Sequence, residues 1–344
     1  MKTRKTYIDI LKIISIFLVM YVHTGADAMH RYLVLAGAGR VFSMIMYALA
    51  QCGPSVFFIV SGILLLNRDE SLAYVFKHRV LRYVLVLTVF GLIQYFATAI
   101  SGGTLNQVSP LGIIKTIYST TVIEQYWFLY SYLVFLLLLP FLRGLAKNLT
   151  RESALYLLVL YFVFEVVMVI FEKLVNFDRT SLSPIPIFTN IIILTLSGFC
   201  LENTLKEFFE ERRRRIFTYA MAVLCIAFSV WYSLYGLDNW NYMVYFEGPS
   251  FVFAFALVLF VKTIAGERTF KQKTVSILKN AGEGIMLTFL LEPELRGGFH
   301  FIFAGLEKYI TWFPAVSLQL VAAMLAGMVL AWLIHKIPVV GKLI

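Results

Sequence analysis

The chain has 344 residues, of which 60% are hydrophobic and 15% are charged, and its formal net charge is +10. Because a soluble domain carries roughly 25% charged residues, this chain has too few polar side chains to cover a water-exposed globule. The composition therefore excludes a separate soluble domain and indicates a protein that resides in lipid.

Apolar stretches of the length that crosses a bilayer, about 20 residues each, follow one another along the chain. They predict ten spans, near 7–24, 43–66, 80–100, 126–142, 154–171, 185–201, 216–235, 249–264, 283–303 and 313–335. The first stretch is too long for a signal peptide and lacks a small-residue cleavage site, so we expect a retained span. Charged and proline residues interrupt the ninth stretch, and the sixth is short, which leaves a nine-span or re-entrant arrangement open. The predicted fold class is an all-α polytopic membrane helical bundle that forms a single domain over residues 1–344.

Lysine and arginine are distributed unequally among the predicted loops. Most of the 30 basic residues fall at the N-terminus, in the even-numbered loops and at the C-terminus, including Arg212–Arg215 and the stretch 271–279. Short cytoplasmic loops hold such an excess, so both termini are predicted to be cytoplasmic. This topology and contact with anionic membrane lipids explain the positive charge. No nucleic-acid-binding module occurs, so a nucleic-acid partner is not expected.

The first predicted span contains three ionisable residues, Asp9, Lys12 and His23. At about 3.6 residues per turn they fall on one helical face, and such groups in hydrocarbon are by default functional or paired and face the protein interior. An imidazole titrates near neutral pH, so His23 is a candidate general base. In the alternative interpretation, Asp9 and Lys12 form an ion pair at the cytoplasmic interface and His23 reaches the opposite surface.

Arg79 and Arg82 lie three residues apart at the predicted cytoplasmic start of the third span. Their guanidinium groups would share one face at the helix entrance, where two bidentate donors suit a phosphate group. The same spacing also arises in the basic flanks of membrane helices. The spacing alone therefore does not distinguish a phosphate site from a topology signal.

Other candidates lie within or beside further spans. Glu165 lies in the middle of the fifth span, where it would serve an interior site or a hydrogen bond between helices. Ser61 and Gly62 are small residues typical of a close helix contact, and Trp127 is typical of an interface anchor. No Walker loop, zinc-ligand spacing or nucleophile elbow occurs in the sequence. ATP-driven transport and metal-dependent hydrolysis therefore have no support, and no metal is expected.

Five short groups of residues, spread over most of the chain, form a recognisable pattern. They are residues 7–12 with His23, residues 53–62, the pair Arg79 and Arg82, residues 126–130 followed by Pro140, and residues 284–293. Together they resemble the acyltransferase 3 family of integral membrane enzymes, and the block with Trp127 and Tyr130 is most similar to its WecH-like branch. The chain departs from the family pattern at Lys12, where arginine is usual, and at Gln125 and Glu292, where histidine is more common.

The resemblance implies transfer of an acyl group, expected to be acetyl, from cytoplasmic acyl-CoA to a hydroxyl of an extracytoplasmic glycan or lipid-linked sugar. It places the protein in the bacterial cytoplasmic membrane and assigns Arg79 and Arg82 to acyl-CoA. His23 would be the general base or would carry the acyl group itself, and Asp9 would orient Lys12. Two alternatives stay open: a secondary transporter of an envelope precursor, and a family member without catalysis that acts as an assembly or sensing subunit. The sequence shows no internal repeat of the kind that transporters favour.

An epitope tag in the loop around residue 240 tests the predicted topology. This loop falls on the predicted outer side, so an antibody added to intact cells should label the tag. A tag beside Arg212–Arg215 is the matched control, and its labelling should require permeabilised cells. The opposite pattern would show an inverted orientation or a miscounted span.

Overall fold

A computed structural model describes residues 5–119, 122–175, 190–235 and 247–337. These residues form α-helices joined by short 3₁₀ and π turns, and no β-strand occurs among them. In chain order the helices are α1 Thr6–Val22, α2 Gly37–Ala50, α3 Gly53–Leu65, α4 Leu72–Val75, α5 Leu81–Ser101, α6 Pro110–Ser119, α7 Trp127–Asn148, α8 Arg151–Phe162, α9 Met168–Val175, α10 Asn190–Glu202, α11 Lys206–Glu210, α12 Arg212–Tyr235, α13 Glu247–Ala265, α14 Gln272–Leu290, α15 Glu292–Gly298, α16 His300–Leu306 and α17 Trp312–Ile334. The predicted all-α fold class is confirmed.

Seven helices in the described ranges are long and apolar enough to cross a membrane, judged by length and composition. They are Gly37–Leu65, Leu72–Ser101, Glu124–Asn148, Arg151–Val175, Arg212–Tyr235, Gly248–Ala265 and Trp312–Ile334. The shorter apolar helix Ile191–Glu202 accompanies them. These helices confirm a polytopic membrane protein, while the number of ten spans and the side of the termini stay predictions. The loop around residue 240 and the beginning of the predicted sixth span lie outside the described residues.

The predicted ninth span, 283–303, is divided among three helices. Helix α14 begins earlier than predicted, at Gln272, because the polar stretch before residue 283 is rich in good helix formers. It ends at Leu290, since Pro293 cannot supply the N–H of a helix interior and instead occupies the first turn of α15. Helix α15 closes with Gly297 and Gly298, where an added Cβ would meet no described atom within 4 Å.

The chain forms two compact units. The first unit comprises Met1–Asn67 and Leu145–Trp332, and the second unit comprises Arg68–Gly144 and Leu333–Ile344. His23 therefore belongs to the first unit, whereas the predicted arginine pair belongs to the second.

Helix α1 lies within the first unit, where it packs against α3, α13 and α14. At its first turn, Lys5 and Tyr7 contact the carboxylate of Glu202 at the end of α10. Lys262 of α13 adds an ion pair of 3.2 Å to the same carboxylate. One acidic side chain thus joins three helices at one end of the unit.

Helices α3 and α10 of the first unit pack with their backbones in contact. A Cβ added to Gly62 would lie 1.8 Å from the carbonyl oxygen of Thr195, and one added to Gly198 would lie 2.0 Å from that of Ile59. Small residues permit this approach between membrane helices, whose association depends on packing.

The second unit is built on the continuous helical segment Leu72–Ser101, in which a π turn at Phe76–Val80 separates α4 from α5. Helix α6 packs against α5, and the hydroxyl of Tyr130 in α7 donates a hydrogen bond of 2.5 Å to the carbonyl oxygen of Ile117 in α6. This bond fixes α7 relative to α6.

The substitution Gly62→Ala tests the contact between α3 and α10. The added methyl group cannot fit beside the Thr195 carbonyl, so the two helices must separate, at a cost of about 1–3 kcal/mol or more. The measurement is the unfolding temperature of the purified protein in detergent. Gly305→Ala is the matched control, because no described atom lies within 4 Å of a Cβ at that position. Equal unfolding temperatures for the two variants would contradict the contact.

Candidate functional site

His23 lies where α1 ends, and the turn that follows is held by hydrogen bonds. The His23 N–H donates to the carbonyl oxygen of Met20 at 3.2 Å. Thr24 donates through its hydroxyl to the carbonyl oxygen of Tyr21 at 2.7 Å and accepts from the N–H of Met29 at 3.0 Å. These bonds fix the backbone on both sides of the imidazole. The His23 side chain is 14% exposed.

The imidazole of His23 meets Glu292, the first residue of α15. Nδ1 of His23 lies 3.1 Å from Oε2 of Glu292, whose side chain is fully buried. The distance is that of an ion pair, and the alignment is not that of a hydrogen bond to either atom. A carboxylate beside Nδ1 favours the tautomer that carries the proton on that nitrogen, which leaves Nε2 as the atom that can accept a proton.

Arg296 binds the second oxygen of Glu292, and Gln319 in turn holds the backbone of Arg296. Nε of Arg296, one turn further along α15, donates a hydrogen bond of 2.6 Å to Oε1 of Glu292. Gln319 of α17 is 1% exposed and donates through Nε2 to the carbonyl oxygen of Arg296 at 2.9 Å. The carboxylate is thus held between a guanidinium group and an imidazole, as a buried charge requires.

Asp9 and Lys12 lie on the same helix as His23. Asp9 is buried, and a Cβ added to Gly282 of α14 would lie 2.6 Å from its Oδ1. The Asp9 carboxylate therefore rests against the backbone of α14. Lys12 is half-buried. The orientation of Lys12 by Asp9 stays a prediction.

In the second unit, Arg79 binds a carboxylate of the protein itself. Its Nε and Nη2 donate hydrogen bonds of 2.7 and 2.5 Å to the two oxygens of Glu70. Arg143 donates through Nη2 to Oε2 of Glu70 at 2.8 Å, and Nη1 of Arg68 lies 3.6 Å from Oε1. The hydrogen bonds from Arg79, and then those from Arg143, lower the pKa of Glu70 to about 2. Arg82 is exposed.

The four remaining candidates belong to helical segments other than α1 and α15. Ser61 donates within its own helix to the carbonyl oxygen of Phe57 at 2.8 Å. Tyr130 joins α6 to α7, and Trp127 is exposed at the start of α7. Glu165 is half-buried in a π turn between α8 and α9. A Cβ added to Gly248 of α13 would lie 1.7 Å from the carbonyl oxygen of Glu165, so α13 approaches the π turn closely.

Comparison with known families agrees with the pattern of blocks in the sequence. The sequence model of a family described as an acyltransferase domain matches residues 5–336, nearly the whole chain. The chain belongs to the acyltransferase 3 family. No curated protein and no solved structure matches it. Assignment to the WecH-like branch stays a prediction.

Four residues around the charged groups of this acyltransferase were not among the sequence candidates: Arg296, Gln319, Glu70 and Arg143. For Arg296 the signal was its i,i+4 spacing from Glu292, which is typical of a helical ion pair. Gln319 and Arg143 approach their partners only through tertiary packing, so no local pattern indicates them. Glu70 lies in a polar loop, where a single acidic residue is ordinary.

The substitution Arg296→Met tests the pairing of Glu292 in the acyltransferase. It leaves a buried carboxylate without its guanidinium partner, which should destabilise the protein by about 3–5 kcal/mol. The measurement is thermal unfolding in detergent. Adding Glu292→Gln to Arg296→Met removes the uncompensated charge and should restore much of the loss. A double variant as unstable as Arg296→Met alone would indicate that Arg296 acts through packing.

Proposed function

We propose that this acyltransferase is a membrane-bound O-acyltransferase in which His23 is the general base. The observation that carries the proposal is the contact of His23 with the fully buried carboxylate of Glu292. Family membership supports acyl transfer in general. A base held by a buried carboxylate is suited to removing a proton from a hydroxyl, so an alcohol is the acceptor that fits best.

In the proposed reaction, Nε2 of His23 takes the proton of the acceptor hydroxyl. The hydroxyl oxygen at the same time attacks the thioester carbonyl carbon of acyl-CoA. The carbon–sulfur bond then breaks, and the leaving thiolate takes a proton from the imidazolium, so that an ester and free coenzyme A result. Glu292 stabilises the imidazolium between these steps, and Arg296 keeps the carboxylate in place. A route through an acyl-histidine uses the same ring as nucleophile.

The donor in this proposal is acyl-CoA, with acetyl as the transferred group. The acceptor is a cell-envelope glycan or a lipid-linked sugar that reaches the enzyme from outside a bacterial plasma membrane. The predicted topology supports this arrangement, because it puts Arg79 and Arg82 at the cytoplasmic side and His23 at the opposite end of the first span.

Substitution of His23 tests the proposed base. Purified protein in lipid vesicles would be incubated with radiolabelled acetyl-CoA and a panel of envelope glycans, and labelled product would be counted. His23→Ala should lower the transfer rate by about 10²-fold or more, since general base catalysis contributes at least that much. Glu292→Gln should also lower the rate, because the imidazolium formed in the proposed reaction loses its neighbouring charge.

His300 provides the matched control in the same unit. Its Nδ1 lies 3.4 Å from Oδ2 of Asp27, so it is a second histidine beside a carboxylate, but its side chain is 49% exposed. His300→Ala should keep the native rate. Transfer that survives His23→Ala would remove His23 from the role of base.

A further inference from the structure

Five arginines of the first unit lie at the starts of two helices. Helix α12 opens on Arg212–Arg215, and α8 opens on Arg151. Among the residues that the structure describes, only Arg214 of these five makes an ion pair, at 2.9 Å from Glu211. Two acidic residues beside them in the sequence also make no ion pair there: Glu152 and Glu207. Four unpaired arginines therefore face two unpaired carboxylates, and positive charge is left over.

The ring of Phe208 in α11 brings together arginines from the two helices. Cζ of Arg214 lies 3.9 Å from the ring centroid, and Cζ of Arg151 lies 5.6 Å from it. Both distances are within the range of a cation–π interaction. This contact leaves the charge of Arg151 unneutralised, because the ring carries no net charge. Three helices thus place cationic groups around one ring, which the basic flank of a single span does not do.

The place of Arg212 and Arg213 at the start of α12 adds to the demand for an anion. The first turn of a helix has N–H groups without helical partners and a partial positive charge, so it favours anions and disfavours cations. The first turn of α12 contains no acidic residue. A bound phosphate group would neutralise the arginine side chains and the helix end together.

Beyond these arginines, α12 continues as an exposed apolar face. Four of its large apolar side chains are between 53% and 67% exposed: Ile216, Phe217, Val223 and Leu224. At 3.6 residues per turn, these positions lie on the same side of the helix as Arg212 and Arg213. A phosphate at the arginines would therefore have an apolar surface directly beneath it. This combination matches a molecule with an anionic head and acyl chains.

We propose that Arg151, Arg212 and Arg213, with Phe208, form a binding site for the head group of an anionic phospholipid. We call these four residues the Arg212 patch. The guanidinium groups bind the phosphate, and the acyl chains lie along the exposed face of α12. General contact with lipid needs only an apolar surface and does not distinguish head groups. The Arg212 patch does distinguish them, because its unpaired charge favours an anionic head over a neutral one.

The experiment measures how phospholipids raise the unfolding temperature of the purified full-length protein in an uncharged detergent. Dioctanoyl phosphatidylglycerol is the anionic probe, and dioctanoyl phosphatidylcholine has the same chains with a neutral head group. Sodium phosphate, at equal ionic strength, supplies the anion without the chains. A ligand that binds only the folded protein stabilises it according to its concentration and affinity. We expect phosphatidylglycerol to raise the unfolding temperature more than either of the other probes.

Charge-neutral variants test the residues of the Arg212 patch. Arg212→Gln combined with Arg213→Gln should weaken phosphatidylglycerol binding by about tenfold, because each basic residue near a membrane surface adds to the attraction of anionic lipid. Arg151→Gln, on a different helix, should weaken it by about threefold. Lys271→Gln combined with Lys273→Gln is the matched control, since it also removes two exposed charges at the start of a helix on the same predicted side. The control should bind phosphatidylglycerol like the native protein.

Several results would overturn the lipid site. Equal stabilisation of the native protein by the two lipids would show that the head-group charge is not recognised. Equal weakening in the lysine control would show attraction by total charge alone. Stabilisation by sodium phosphate as strong as that by phosphatidylglycerol would indicate an ion site without lipid. An unfolding temperature that rises with protein concentration in the absence of lipid would show that a second copy of the chain covers the face of α12 instead.

Discussion

A fully buried carboxylate in a membrane protein must be paired, and the pairing of Glu292 determines how the region around His23 is assembled. Arg296 binds one oxygen, His23 lies beside the other, and Gln319 holds the Arg296 backbone. These contacts bring together the end of α1, the start of α15 and the middle of α17. The carboxylate that departs from the family pattern is therefore the group around which the proposed base is positioned.

Two carboxylates of this protein illustrate different uses of buried charge. Glu292 has no exposed surface, so loss of a partner would leave it in an apolar medium at high cost. Glu70 is 13% exposed, and its arginine partners lower its pKa to about 2. It therefore stays charged at neutral pH through its arginine partners. Glu292 instead depends on a single guanidinium group and an imidazole within a buried setting.

The sequence predicted the helical membrane fold well, because hydropathy and span length depend on local composition. It also predicted that Asp9 and His23 lie away from lipid, and both are largely buried. It did not predict the contact of His23 with Glu292, because the two residues are far apart in the sequence and meet only through tertiary packing. It also did not predict that Arg79 lies in a π turn or that Glu70 binds its guanidinium group. The common face of Arg79 and Arg82 stays a prediction.

The glycine pair that closes α15 has a consequence for how this enzyme can diversify. Gly297 and Gly298 follow directly after Arg296, and a Cβ added to either would meet no described atom within 4 Å. Glycine adopts many backbone conformations at little steric cost, so this joint does not transmit strain well. Exchanges in α16 can therefore reshape that helix without removing the contacts of Glu292 with His23 and Arg296. The sequence of α16 can thus vary while the charged pair at the start of α15 stays the same.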